Sequence, residues 1–163
     1  MAIDLGELIP NLVGEVNPPG GNMFPNATDD DWLVRLQNAF WETVLDGIVS
    51  GYTESDGEVT PDSGTTEFPR DLQQLVIFYA GISIIRNKMH DVKAKFRAKA
   101  GPVEYETEQA ATILKAVMDE LVRRRNIILN RLADLGRADS FYIDMVLERS
   151  DSLIYGDSIW VNY

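Results

Sequence analysis

The chain has 163 residues, of which 45% are hydrophobic, with no cysteine and a formal net charge of -11. That length suits one domain with a real core, and the lack of cysteine excludes disulfides and thiolate metal sites. There is neither a cleavable-looking leader nor an apolar run of about twenty residues, so a soluble, intracellularly made chain with no membrane partner is expected. The charge is uneven: residues 1–71 set two basic side chains, Arg35 and Arg70, against fourteen acidic ones, whereas residues 72–163 set thirteen basic against twelve acidic. Copies of such a chain could pack basic surface on acidic surface head to tail, although isolated surface ion pairs contribute only about 0–1 kcal/mol each and both surfaces could simply be solvated.

Residues Ile3–Val16 are weakly amphipathic and interrupted by Pro10, which allows at most a short broken helix. Asn17-Pro18-Pro19-Gly20-Gly21-Asn22 reads as a linker. Residues 1–27 are therefore read as an arm and linker that either frays or reaches a neighbouring subunit. Thr28 is a good N-cap, and Asp29, Asp30 and Asp31 fall in the first turn, where the helix dipole favours negative charge. Three aspartates on one turn point about 100° apart and do not converge on a cation unaided. The helix they open carries Leu33, Leu36, Phe40, Val44 and Ile48 on one side, with Trp32, Trp41 and Leu45 widening the stripe, and should end between Gly47 and Gly51.

Residues 50–68 show no core-forming pattern, but Asp56-Gly57 is a type I′ turn signal that predicts a small exposed hairpin from Tyr52 to Thr60. Tyr52, Glu54, Asp56 and Glu58 are its candidate contact residues; the loop either orders against a partner or stays unstructured. From Pro69 the pattern changes. Leu72, Leu75, Tyr79, Ile82, Ile85, Met89, Val92 and Phe96 share one helical face, and so do Leu114, Val117, Leu121, Ile128, Leu132 and Leu135, with Arg124 or Arg125 where one more apolar rung would fall. Gly101-Pro102 stops the first helix, and the short connection predicts an antiparallel pair of long helices.

Charge on the first long helix is one-signed: Arg86, Lys88, Lys93, Lys95, Arg97 and Lys99 are opposed only by Asp91. That face reads as solvated or intersubunit; as an alternative it grips phosphate in a small helical DNA-binding or regulatory protein, although Phe96 is the only aromatic there and it belongs to the seam. Arg123, Arg124 and Arg125 fan over about 200° and make no single site. His90 reads as a surface or intersubunit side chain. Ala138–Ser150 could form a short helix or a strand. The C-terminal stretch holding Ile154, Tyr155, Ile159, Trp160, Val161 and Tyr163 is aromatic and β-branched, so it must lie on its own domain or add to an edge of another chain. The second is favoured because nothing else in the chain reads as a sheet for it to join.

No phosphate loop, dinucleotide fingerprint, nucleophile elbow or histidine cluster is present, so no catalytic residue, metal or cofactor is expected. A carboxylate pair is the only acid–base option left, and nothing singles one out. The acidic-capped helix 28–48 with its Asp46-Gly47 and Gly51-Tyr52 ending, the loop, and the opening Leu72-Gln73-Gln74-Leu75-Val76-Ile77-Phe78-Tyr79-Ala80-Gly81 of a long helix resemble the head-to-tail adaptor (connector) proteins of long-tailed bacteriophages. The likeness is one of layout and covers roughly residues 28–136. It implies a non-enzymatic virion neck protein, assembled in the host cytoplasm as a dodecameric ring. That ring would sit between the portal and the stopper or tail-terminator proteins, with genomic DNA passing non-specifically through it. It further implies that Ile154–Tyr163 engages the portal and that the 52–68 loop meets the next ring or the channel. The expected architecture is all-α: a long-helix hairpin with a packed N-terminal helix in an adaptor domain 28–149, an extended loop 50–68, and an extended tail 150–163.

Overall fold

The computed structural model describes residues 2–17, 21–62, 67–98 and 104–135, with the side chains of 93–98 and 104–109 outside the description. A two-residue strand β1 (Ile3–Asp4) leads through a 3-10 turn (Leu5–Leu8) into α1 (Ile9–Val16); α2 (Asp29–Leu45), β2 (Tyr52–Ser55), β3 (Glu58–Pro61), α3 (Arg70–Ala98) and α4 (Glu104–Asp134) follow. The all-α expectation is corrected: the chain is mostly helical, but three strands among the described residues form an antiparallel sheet in the order β1-β3-β2.

α3 lies at the centre, and α1, α2 and α4 all pack on it. The reason is in its composition: from Leu75 to Ile85 every residue except the half-buried Ser83 is buried, and a helix that is apolar all round needs neighbours on every side. The one-face seam read from the sequence describes only part of this, since Val76, Ile77, Phe78 and Ile84 off that seam are also buried. Gly81 makes the crowding possible. A Cβ there would lie 3.1 Å from Leu121 Cδ1 and 3.4 Å from Val16 Cγ1, so the close approach of α1 and α4 to α3 uses the missing side chain. Contacts between α3 and α4 ascend on one helix as they descend on the other: Asp71 meets Arg131, Tyr79 meets Arg125, and Gly81 meets Leu121.

The N-terminal segment is the second correction. Instead of an arm it is part of the core, with Leu5, Leu12 and Val16 fully buried and Leu8 nearly so. Pro10 does not break the helix because it stands in the first turn of α1, where its missing N–H has no partner to lose. Asp4 caps the preceding turn by accepting the Gly6 N–H at 2.7 Å, and β1 pairs Ile3 with Val59. At the far end of α1, Asn17 accepts the Met23 N–H at 2.8 Å and donates to the Val13 carbonyl at 3.0 Å, which stitches the chain across the proline-rich linker.

α2 begins as the sequence predicts. Thr28 and Asp31 form a reciprocal capping box, and Asp31 is held below the usual carboxylate range chiefly by the Thr28 backbone N–H and then by its hydroxyl. It ends at Gly47, whose φ of 70° lets the chain turn left-handed while the Ile48 and Val49 N–H groups close on the Thr43 carbonyl. The predicted hairpin is present with Asp56 (φ 52°) and Gly57 (φ 90°) in its turn. Residues 50–68 nonetheless do contribute to the core, through Val59 and Phe68, both essentially inaccessible.

Candidate interaction surface

Two polar constructions fix the surface around α2. The first is buried. Asp46, at the C-cap of α2, accepts the Tyr79 hydroxyl of α3 at 2.9 Å, and the Arg125 guanidinium of α4 stands 5.5 Å from the centre of the same ring. Asp46 and Arg125 are two of the three buried polar residues among those described. The position at which the apolar rung of α4 is interrupted is thus occupied by Arg125, which is used inside the molecule as a cation over an aromatic face. Arg124 instead leaves the core to bind Glu15 of α1 at 2.9 Å and Glu120 at 2.7 Å. Arg123 binds Glu120, whose carboxyl is drawn down to about 2 by hydrogen bonds from Arg123 and then Arg124. Arg123 and Arg124 share Glu120 while Arg125 lies over Tyr79, so the three arginines form no common site.

The second construction joins the hairpin to α2 through Glu54. Its Oε1 accepts Gln37 Nε2 and the Gly57 N–H, both at 2.8 Å, and its Oε2 accepts Trp41 Nε1 at 2.9 Å. Burial alone would raise the Glu54 pKa, but the Gly57 N–H, Gln37 and Trp41 together bring it below the usual glutamate value. Tyr52 is anchored as well, its ring 4.9 Å from Phe68 in an edge-to-face contact. Of the four hairpin residues singled out from the sequence, Tyr52 and Glu54 therefore attach the hairpin to the body, while Asp56 and Glu58 stand exposed at its tip.

With the hairpin locked, α2 has apolar residues on two opposite faces. Trp32, Leu36, Ala39 and Phe40 point into the core. Val34, Trp41 and Leu45 point away from it, with 52%, 42% and 82% of their surfaces exposed. The single widened stripe expected for α2 is corrected here: nine residues separate Trp32 from Trp41, which at about 100° per residue turns one half a circle from the other. That spacing was the signal for a second face.

Two grooves lined by described residues border the helices. One, of about 520 Å³, lies between α2 and α3, and its lining includes Phe24, Trp32, Asp31, Arg35, Lys88 and Asp91. The Lys88 ammonium sits 5.4 Å from the centre of the Phe24 ring, and Phe24 meets Trp32 edge to face at 5.6 Å. A lysine so placed, with two carboxylates in the same groove, is poorly disposed to grip phosphate. The other groove, of about 360 Å³, runs between α1 and α3 beside Arg70, Gln73 and Gln74. Among the described residues no group of three or more His, Cys, Asp or Glu side chains is placed to hold a metal ion.

Of the predicted basic face, Arg86 and Lys88 are half-buried. Lys93, Lys95 and Arg97 fall on the helical backbone of α3 with side chains outside the described residues, and Lys99 lies outside them altogether. The same holds for Ala138–Ser150 and for Ile154, Tyr155, Ile159, Trp160, Val161 and Tyr163. Among the described residues no helix is long and apolar enough to cross a membrane. Comparison with protein-family models, with curated proteins and with solved structures gives no match.

Proposed function

We propose that the chain is a non-enzymatic structural subunit that works by self-assembly, a ring-forming head-to-tail adaptor of a bacteriophage neck. The observation that carries this reading is the second apolar face of α2. Exposed apolar side chains scattered singly need no explanation, but three on one face of a helix whose opposite face is already buried suit a surface that another polypeptide covers. The ascending-against-descending contacts of α3 and α4 support an antiparallel hairpin as the rigid frame, and the capping box, the positive-φ glycine and the long α3 agree with the layout on which the adaptor resemblance rests. In this reading the ring, dodecameric by resemblance, sits between portal and stopper or tail-terminator proteins in the virion neck. DNA passes through it without specific contact, as an acidic wall would favour by repelling phosphate. Ile154–Tyr163 is assigned to the portal.

Native mass measurement of the full chain tests the first part: a closed multiple of the 18.3 kDa subunit is expected, and a single-chain mass at micromolar concentration overturns it. For the tail, truncation after Arg149 should preserve the helical circular-dichroism signal and abolish co-sedimentation with portal rings. Retained co-sedimentation removes that assignment.

A further inference from the structure

We propose, on the reading that the chain self-assembles, that the outward face of α2 in one copy packs against the exposed apolar strip of α4 in a second copy. Among the described residues six large apolar side chains stand exposed, and they fall on two helices only: Val34, Trp41 and Leu45 on α2, Ile113, Ile127 and Leu135 on α4. At about 100° per residue the first three span about 40° of their helix and the second three about 80° of theirs, so each set is a strip rather than a scatter. The α2 strip is also held still. The Trp41 ring is tethered by its hydrogen bond to Glu54, so its large apolar area is offered at low entropic cost.

The two strips carry rims of opposite charge. Asp30 and Asp31 stand exposed about one turn before Val34, and Asp56 and Glu58 stand exposed on the hairpin that Glu54 clamps to the same helix. Arg35, the one basic residue of α2, is turned about 100° from Val34 and lines the groove against α3. On α4, Arg123, Arg124 and Arg131 lie one turn to either side of Ile127. Arg123 and Arg131 keep 61% and 56% of their side chains exposed beside Glu120 and Asp71. Of the acids near this strip, Glu120 is already held by Arg123 and Arg124, and Asp134 stands at the end of the helix. Pairing α2 with α2 would set acid near acid, and pairing α4 with α4 would set base near base; α2 against α4 matches the two. Val34, Trp41 and Leu45 point away from the core, out of reach of α4 of their own chain, so the contact requires a second copy. It is heterologous, and it propagates until the rotation closes a ring or runs on as a filament.

Two variants test the pairing. Val34→Glu with Leu45→Glu disables the α2 strip, and Ile113→Glu with Ile127→Glu disables the α4 strip; all four positions are exposed. Under conditions where the unaltered chain assembles, each variant alone should run at the mass of one chain with an unchanged circular-dichroism spectrum. Mixed one to one they should form a two-chain species and nothing larger, because each retains the strip that the other lacks. Assembly of either variant at the unaltered mass, or failure of the mixture to pair, overturns the inference while leaving self-assembly intact. A monomeric unaltered chain overturns both. Should either variant lose its helical spectrum, cross-linking of the otherwise cysteine-free chain with a flexible bis-maleimide decides. With Asn38→Cys and Ile127→Cys together, covalent multimers from an assembled sample support the contact and their absence removes it. With either cysteine alone, the product should stay at the mass of one chain, and a covalent dimer would show like strips meeting and overturn the pairing.

Discussion

The two halves of α3 make different use of one continuous helix. From Leu75 to Ile85 it is the core element, sheathed by α1, α2 and α4, and its sequence is apolar on every side. From Arg86 onward the same helix carries alternating cations and keeps only Met89 and Val92, both partly buried, against the core among the described residues. Burial all round fixes a helix but leaves it nothing to offer a partner; residues 86–92 give up much of that stabilisation and gain surface. A comparable contrast separates the two polar constructions around α2. The Asp46–Tyr79–Arg125 cluster is closed off from water, whereas the Glu54 clamp stands near the surface and holds a hairpin whose tip is exposed.

The sharpest way to test the first contrast is Ile85→Ala at its inner boundary. Ile85 is fully buried, and removing its side chain should destabilise the chain by about 2–5 kcal/mol, the range for large-to-Ala changes in a packed core. Urea unfolding measures it, and a loss under 1 kcal/mol would mean that the proximal half is not the core of the fold. Next in size is Tyr79→Phe, which removes a donor from buried Asp46 and should cost about 1–3 kcal/mol by the same assay. A change within 0.5 kcal/mol would mean that the hydroxyl adds nothing to the cluster.

The smallest effect belongs to the surface clamp. Because the folded pKa of Glu54 lies below the usual glutamate value of 4.5, its contribution to stability is present above that value and fades as pH falls through the lower folded one. Glu54→Gln should cost about 1 kcal/mol near neutral pH and flatten the acid side of the stability curve below about pH 4.5. Protection of the Gly57 amide, whose N–H donates to Glu54, measured against its intrinsic exchange rate at each pH, should fall in acid in the unaltered chain and stay nearly constant in the variant. Equal acid dependence in both would show that the clamp does not set the hairpin's position.

Much of this was legible along the chain because it is decided locally. A capping box needs only Thr28 and Asp31 three residues apart, a type I′ turn needs only Asp56-Gly57, and a left-handed helix end needs only Gly47; each is a relation between near neighbours. The second apolar face of α2 was also legible, in the nine-residue interval from Trp32 to Trp41, but grouping all apolar residues into one stripe conceals it. The role of the N-terminal segment was not legible. A short amphipathic stretch containing Pro10 and followed by a proline-rich linker has the composition of a frayed end, and what makes it core is a groove on α3 that no local rule announces. Glu54 and Arg125 were hidden for a similar reason. One reads as a loop carboxylate and the other as a break in an apolar face, until Gln37, Trp41 and Tyr79 are placed beside them.

The sequence alone determined where α2 starts and stops, where the chain reverses at Asp56-Gly57, that it carries neither disulfide nor thiolate metal site, and that its acidic excess sits in residues 1–71, because each follows from composition or from dihedral and capping preferences over a few residues. Only the tertiary structure decided that α3 is enclosed by three helices, that β1 joins the hairpin to make a sheet, and which side of α2 faces out. Those outcomes depend on contacts between residues far apart in the chain, whose free energy exists only once the intervening segments have been brought together.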